Sequence, residues 1–366
     1  MDHSRSAGSA ASTETAADRA GRAQASAHSY APSYVNRLID AVRRLPWPAS
    51  VTYALVAGAF VAVEIGAKVV DGTFPDGFRL IHVILPIFAM AVLPSVHLFN
   101  RQAAEAIDTA RPLLTLSETD TERVRYGLTT LPAGPTVLAA LGGLISLALL
   151  TIVQPADTFA VLGVMTSPAT AAVEWTFQAL TWSGVGVTAY AIVRQMRLVY
   201  AVTTGHTRIS LFALGPIYAF SRLTATHAVF TTTVVALSSL ALSRLAATPQ
   251  WVVFGGGPLL LAAATFVVPL WGAHRLIAEE KERSEARIGA TLERLAGDYQ
   301  ARVERSELDG IDAPKKAIEG TIIIRGQIRA VSTWPWQPAT LSGVVSVLLA
   351  PLVIWLITRG LELAIF

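Results

Sequence analysis

Residues 135–154 read PTVLAALGGLISLALLTIVQ, a run of twenty residues without a charge. A helix of about 20 apolar residues crosses the roughly 30 Å of hydrocarbon in a lipid bilayer. Residues 339–358 are a second uncharged run of the same length. The chain of 366 residues is 52% apolar and 15% charged, against about 25% charged in ordinary soluble domains. The sequence therefore predicts an integral membrane protein and not a soluble enzyme.

Together with these two runs, seven stretches of the sequence are long and apolar enough to be predicted as membrane spans. They are residues 51–70, 80–99, 135–154, 172–193, 224–246, 250–271 and 339–358. Backbone groups in hydrocarbon must form their hydrogen bonds within the protein, and helices do so within each segment. The predicted fold class is therefore all-α, a polytopic membrane helical bundle of about seven transmembrane helices.

The basic residues predict the orientation of these spans. Of the 29 lysines and arginines, 25 lie in the N-terminal segment and in the segments after the second, fourth and sixth spans. Loops rich in Lys and Arg stay in the cytoplasm. We therefore predict a cytoplasmic N-terminus and an outside C-terminus, in the plasma (inner) membrane of a prokaryote. Basic cytoplasmic loops beside the lipid bilayer explain the net charge of +3. We therefore predict the bilayer as a partner and no nucleic acid partner.

Four regions follow one another along the chain. Residues 1–35 are rich in Ala, Ser, Gly and Thr, which predicts a disordered cytoplasmic tail. Residues 36–272 hold the first six spans, residues 273–333 a cytoplasmic helical arm, and residues 334–366 a tryptophan segment and the seventh span. Residues 209–223 are apolar but too short to span, so they are predicted to be an interfacial or a re-entrant piece.

The arm is predicted to be an antiparallel helical hairpin. Its first half carries an apolar stripe with the spacing of a short coiled coil, formed by Ile288, Leu292, Leu295, Tyr299 and Val303. A turn at residues 309–314 leads to the returning half, whose apolar positions are Ile318, Ile322 and Ile323. Such an arm offers a surface to a cytoplasmic protein partner.

Polar groups inside the predicted spans are the candidates for a functional path. Glu64 and Lys68 lie one turn apart near the outer end of the first span. Glu174 and Gln178 lie at the start of the fourth span. The two glutamates are candidates to line one acidic vestibule, and the alternative is that charged groups at this depth extend to the membrane surface. The fifth span is rich in hydroxyls, which line a water path or bond to their own helix, and His227 at its inner end is predicted to be a capping or interfacial residue.

Small residues predict where helices approach each other closely. They recur every four residues on the first span, at Ala54, Gly58, Ala62 and Gly66. On the seventh span, Ser342 and Ser346 have the same spacing. These two serines are the candidates to line a pore shared between copies of the chain, a homo-oligomer.

Tryptophans precede the first and the last span. Trp47 lies between two prolines, and Trp334 and Trp336 flank a third. Because tryptophan prefers the headgroup level of a membrane, these side chains are predicted to be interfacial anchors. The alternative is that Trp334 and Trp336 belong to a hinge that transmits movement from the arm to the last helix.

No catalytic motif is present in the sequence. The chain has no cysteine, no H-E-x-x-H zinc motif and no G-x-x-x-x-G-K-[ST] phosphate loop. We therefore predict no enzyme activity, no cofactor and no metal site.

Three blocks of the sequence resemble prokaryotic multipass membrane proteins of unknown activity. The blocks are GPIYAFSRLTA at 215–225, VVPLWGAHRLIAEEKER at 267–283 and TWPWQPATLSGVVSVLLAPLVIWL at 333–356. The resemblance implies a bundle of about seven helices but no activity. In layout alone, the predicted order of helices and the long arm before the last one are also similar to the insect chemoreceptor class of ligand-gated cation channels.

These observations favour an oligomeric channel or receptor-channel with the last helix near the pore. One alternative is a transporter with a path inside a single bundle, although an odd number of spans without an inverted repeat weighs against it. Another alternative is a membrane-anchored scaffold or signalling input that acts through the arm.

Overall fold

The computed structural model describes residues 30–75, 78–153, 167–207, 209–241, 249–306 and 311–365. Within these ranges the chain is helical and has no β-strand beyond two isolated bridges, which confirms the predicted all-α class. The α-helices, numbered in chain order, are α1 Tyr34–Arg43, α2 Ala49–Val70, α3 Ile81–Met90, α4 Val92–Ala110, α5 Glu118–Thr129, α6 Ala133–Val153, α7 Pro168–Gly205, α8 Tyr218–Ala241, α9 Pro249–Val267, α10 Trp271–Glu304, α11 Asp312–Ala330 and α12 Pro338–Ile365.

Length and composition identify fewer spans than the seven predicted. Four helical segments are long and apolar enough to cross a membrane: Ala49–Val70, Ala133–Ile152, Tyr218–Ala241 and Gly256–Glu304. A fifth is added if α3 and α4, which form a bent pair, count as one span. The predicted span 172–193 lies within α7, which has 38 residues but buries several polar side chains. The last predicted span lies in α12, whose described part contains a shorter apolar stretch, Ala339–Val353.

A bend divides the predicted span 80–99. α3 ends at Met90, α4 begins two residues later, and the two helices meet at 50°. Pro94 explains the break, because it has no N–H to bond to the carbonyl oxygen of Met90 one turn earlier. The helical hydrogen bonds resume where the N–H of Ser95 donates to the oxygen of Ala91 at 3.1 Å.

α7 is the central helix of the bundle, and it packs most closely against α6. A Cβ atom at Gly143 of α6 would collide with the carbonyl oxygen of Trp182, and one at Gly186 of α7 with that of Ala139. Only residues without a side chain permit helix backbones to lie so close together. α7 also contacts α2, α3, α4 and α10, so its polar side chains are surrounded by other helices.

The last residues of the predicted disordered tail are packed against the bundle. Tyr30 donates a hydrogen bond to the oxygen of Thr130 at 2.7 Å and accepts one from Arg194 at 2.7 Å. Burial raises the pKa of the Tyr30 hydroxyl, while the neighbouring Arg194 guanidinium acts in the opposite direction. The N–H of Ser33 donates to the oxygen of Leu131 at 2.8 Å. The boundary predicted at residue 35 is therefore too late, and the rest of the tail lies outside the described residues.

α10 and α11 pack against each other as an antiparallel pair. Lys281 Nζ donates to the oxygens of Arg329 at 2.7 Å and of Val331 at 2.9 Å, so the first half of α10 lies beside the end of α11. α10 continues through Gly289 and Gly297 up to Glu304. Four positions of its predicted stripe are half-buried, at Ile288, Leu292, Leu295 and Tyr299, and Val303 is exposed.

The returning helix uses a different face from the one predicted. Ile318 is half-buried, but Ile322 and Ile323 are exposed, so the predicted apolar face is wrong at these two positions. Ile328 is buried instead. Residues 318, 321, 325 and 328 follow the three-and-four spacing of one helix face, and that face packs against α10.

The segment predicted as interfacial or re-entrant packs against the base of this pair. One cluster of buried residues joins it to α10 and α11, and its members are Leu211, Leu214, Ile217, Ala273, Ile277 and Ile328. α8 begins at Tyr218, so the last part of the predicted segment is the first turn of a helix. The segment therefore connects α8 to the start of the arm.

We expect Gly143→Ala to lower the thermal unfolding temperature of the detergent-solubilised protein, because the new methyl group forces α6 away from the α7 backbone. Overpacking of this kind costs about 1–3 kcal/mol. The matched control is Gly142→Ala, whose methyl group meets no heavy atom within 4 Å. Equal unfolding temperatures for the two variants would contradict the close packing of α6 on α7.

Candidate functional site

Four ionisable side chains lie together inside the helices, and we call them the buried charged cluster. Glu64 and Lys68 come from the last two turns of α2, His82 from the first turn of α3 and Glu174 from the second turn of α7. None of the four is more than 2% exposed. The end of α2 therefore meets the beginnings of α3 and α7, and this meeting brings together the two glutamates that the sequence singled out.

An ion pair holds the cluster together. Lys68 Nζ lies 2.6 Å from Glu174 Oε1 and joins α2 to α7. His82 Nε2 lies 3.9 Å from the same oxygen. Glu64, His82 and Glu174 each direct one potential ligand atom to the cluster, and these atoms lie within 4.8 Å of one another. Both carboxylate oxygens of Glu64 are buried and have no hydrogen-bond partner in the described part of the chain.

The backbone determines which ring nitrogen of His82 carries a proton. The N–H of Arg79 donates to Nδ1 at 3.0 Å, so Nδ1 is an acceptor and the proton of the neutral ring is on Nε2. Nε2 is buried and has no hydrogen-bond partner among the described residues. The ring therefore presents an N–H group to the carboxylates of Glu64 and Glu174.

The charges of the cluster do not cancel. Within these four side chains, two carboxylates face one ammonium group, which leaves one excess negative charge when both carboxylates are ionised and His82 is neutral. A charge away from water is costly unless a proton or a cation compensates it. The three potential ligand atoms have a spacing that suits a metal ion. However, Nε2 of His82 carries a proton in this tautomer and Lys68 already bonds Glu174, so the arrangement fits a proton better than a metal ion.

The other residues predicted to line a path lie outside the cluster. Gln178 is half-buried one turn further along α7. Ser342 and Ser346 are exposed on α12, whose buried residue Val344 packs against α8 and α9. The structure does not bring these serines near Glu64, and their role in a pore shared between copies stays a prediction.

The small residues of the first span face outward. Ala54, Gly58, Ala62 and Gly66 are all exposed. A Cβ atom added at Gly58 or Gly66 would meet no heavy atom within 4 Å. In the residues that the structure describes, this face makes no close helix contact within the chain, and contact between copies of the chain stays a prediction.

The three tryptophans have different surroundings. Trp47 is 48% exposed and donates from Nε1 to Thr52 Oγ1 at 2.8 Å. Trp334 and Trp336 stack on each other with ring centroids 4.4 Å apart. Trp334 also stacks on His274 of α10 at 4.2 Å. The segment before α12 is therefore attached to the base of the arm, while both the anchor role and the hinge role stay predictions.

A second buried polar group of residues, the glutamine–histidine cluster, was not predicted. Gln195 of α7 donates from Nε2 to the oxygen of Leu128 at 2.7 Å and to Asn100 Oδ1 at 3.3 Å, so its Oε1 accepts a hydrogen bond from His227 Nε2 at 2.8 Å. His227 is fully buried among the helices, and its predicted capping or interfacial role stays a prediction. Glu174 and Gln195 are 21 residues apart, which is three heptads. This spacing is the sequence signal that would have shown that both residues lie on one face of the helix.

Comparison of this chain with known protein families, with curated proteins and with solved structures found no match. The chemistry of the two clusters is therefore inferred from their own geometry. Their three most informative atoms are the two carboxylate oxygens of Glu64 and Nδ1 of His227, which are buried without a hydrogen-bond partner in the described ranges.

We expect Lys68→Met to destabilise the protein by about 3–5 kcal/mol, because it leaves the Glu174 carboxylate buried without its cation. The double variant Lys68→Met, Glu174→Gln is expected to recover most of this loss, since both charges are removed together. The free energy of unfolding is measured by denaturant titration in detergent micelles.

Arg101→Met is the control for this measurement. It breaks the exposed ion pair with Glu105, in which Arg101 Nε lies 2.9 Å from Glu105 Oε1. We expect no measurable change in the free energy of unfolding. A loss of stability that is equal in the single and double variants of the cluster would show that Lys68 acts through packing and not through charge.

Proposed function

We propose that this chain is a proton-coupled membrane transporter that works within a single bundle, with Glu64 and Glu174 as the groups that take up and release the proton. One observation carries the proposal. Glu64 is fully buried, both of its oxygens lack a hydrogen-bond partner among the described residues, and a second carboxylate lies beside it. Ionisable groups inside a membrane bundle are costly, and those that are present commonly belong to ion or proton pathways.

Lys68 couples the proton to the packing of two helices. It lies one turn from Glu64 on α2 and bonds Glu174 on α7. With a proton on Glu64, the charges of Lys68 and Glu174 cancel. Without that proton, the excess negative charge of Glu64 attracts the same ammonium group. Uptake of a proton therefore strengthens the bond between α2 and α7, and its release weakens that bond.

We also propose seven spans, with the N-terminus in the cytoplasm and the C-terminus outside a prokaryotic plasma membrane. The bias of Lys and Arg supports this orientation. The length of α7, 38 residues, is more than a bilayer requires and supports its assignment as a span. The buried charged cluster then lies towards the outer face and the arm lies in the cytoplasm. There, the exposed side chains of Ile322, Ile323 and Ile324 offer an apolar surface to a protein partner.

Glu64→Gln is predicted to abolish proton movement through the protein. The purified chain is placed in liposomes that contain the pH indicator pyranine, a pH gradient is imposed, and NaCl, KCl or MnCl2 is added outside. We expect the wild-type protein to dissipate the gradient with at least one of these salts. An amide cannot exchange the proton, so the rate in the variant is expected to fall by about a hundredfold.

Glu105→Gln is the matched control, because it makes the same chemical change on an exposed helix face. Infrared difference spectra after a pH jump give an independent measurement, since the carbonyl band of protonated Glu64 must be missing in the Glu64→Gln variant. Wild-type rates in that variant, or a wild-type protein that dissipates the gradient with none of the salts, would overturn the proposal.

An oligomeric channel or receptor-channel is the second candidate function. Two exposed faces of small residues favour it, one with Ser342 and Ser346 on α12 and one with Gly58 and Gly66 on α2. Closed rings form when two different faces of one subunit contact each other in neighbouring copies. In such a homo-oligomer, α12 lies near the shared axis and the segment 334–338 connects the pore to the arm.

For this second candidate, Ser346→Leu is expected to lower the conductance measured in planar bilayers, because a larger apolar side chain would narrow and dry the pore. Val345→Leu is the control on the adjacent exposed position of α12. Native mass spectrometry in lipid nanodiscs measures the number of subunits. A monomer, or wild-type conductance in the Ser346→Leu variant, would exclude the shared pore.

A further inference from the structure

α7 carries a line of polar side chains along its buried face. The line consists of Glu174, Thr181, Thr188 and Gln195, each seven residues from the next. Every one of them is at most 9% exposed. Seven residues make nearly two helical turns, so side chains at this spacing lie on one face of the helix. The line therefore runs from the buried charged cluster to the glutamine–histidine cluster.

The two clusters are separated by the thickness of a membrane. Glu174 and Gln195 are 21 residues apart along one continuous helix. At 1.5 Å per residue this separation is about 31 Å, and the hydrocarbon core of a bilayer is roughly 30 Å thick. When α7 crosses the membrane, one cluster lies near each surface.

The helices opposite the line add polar backbone atoms midway along it. Thr181 Oγ1 lies 3.4 Å from the carbonyl oxygen of Leu85 on α3. α3 ends at the bend, where Pro94 deprives the carbonyl of Met90 of its helical donor. Ser95, just beyond the bend, is also buried. A hydroxyl and a carbonyl group therefore meet midway along the line, and water molecules can bridge groups of this kind.

His227 presents a proton acceptor at the far end of the line. Its Nε2 donates to Gln195 Oε1, so Nδ1 of the neutral ring holds a lone pair. Nδ1 is buried and has no hydrogen-bond partner in the residues that the structure describes. The ring of Phe99 packs edge-on against the imidazole, with ring centroids 4.3 Å apart.

We propose that the buried face of α7 is the proton route of this protein, and that His227 receives the proton at the end opposite to Glu64. This inference rests on the proposed function and adds a path and a second proton-binding site to it. The proton leaves a carboxyl group of the buried charged cluster, moves through the hydroxyls of Thr181 and Thr188 and bridging water, and binds Nδ1 of His227. The product is an imidazolium ion, and loss of the proton restores the neutral ring without any transfer of electrons.

Two variants test the route in the proteoliposome assay with pyranine. Thr188→Val removes one hydroxyl at nearly constant shape. His227→Gln keeps an N–H donor for Gln195 Oε1 but cannot bind a proton. We expect each variant to lose about tenfold or more in proton flux. The matched control is Thr176→Val on the exposed face of α7, where the hydroxyl bonds only its own helix at Ala172, and wild-type flux is expected there.

The infrared carbonyl band of protonated Glu64 separates this inference from the proposed function. We expect the band to persist in Thr188→Val and His227→Gln, because these variants interrupt the route and not the uptake. Wild-type flux in both variants, with flux lost in Glu64→Gln, would overturn the route and leave the proposed function standing. Wild-type flux in Glu64→Gln would overturn both, whatever the other variants show, since the route would then not begin at Glu64.

Discussion

Charge held away from water is the constraint on which the arrangement of this bundle depends. Lys68 and Glu174 are tolerated inside the protein because they bond each other, and this pair requires the end of α2 to meet the start of α7. A second contact reinforces the same meeting point, since Ser167, the N-cap of α7, bonds Asp71 just after α2. His82 follows from the same geometry, because α3 begins beside this contact. Glu64, whose two oxygens the arrangement leaves without a hydrogen bond in the described chain, is also the group with the clearest chemical use.

α7 satisfies two opposite requirements on two of its faces. Towards α6 it has no side chain at Gly186, and α6 has none at Gly143, so the two backbones lie in close contact. Towards the other helices it presents polar side chains at every seventh position from Glu174 to Gln195. These polar groups lower its mean hydropathy below that of α2, α3 and α6, which pack against it. The polar face of α7 therefore requires its central position, because only a helix that is surrounded by other helices can keep such a face away from lipid.

The arm is attached to the bundle through aromatic rings. Trp336 stacks on Phe266 of α9 at 5.0 Å and on Trp334, which in turn stacks on His274 of α10. This continuous stack lies between the last residues of the arm and the first turn of α12. The stack therefore joins α9 and α10 to the segment that precedes α12. The sequence indicated that Trp334 and Trp336 lie at a helix start. The stack that they form is decided by the tertiary structure, because its rings come from α9, from α10 and from the segment before α12.

The sequence by itself determined the elements: uncharged runs such as 135–154 predicted helices, and local contacts such as the bond from the N–H of Asp120 to the Ser117 side chain begin them. Those features depend on neighbours within a few residues, where hydropathy and capping act locally. Only the tertiary structure decided that Glu64 meets Glu174, that His227 is buried beside Gln195, and which face of α11 is packed. Helical periodicity states which residues share a face but not which faces meet. In a bundle where most faces are apolar, that choice is made by close backbone contacts and by the pairing of buried charges, and both join residues that are far apart in the chain.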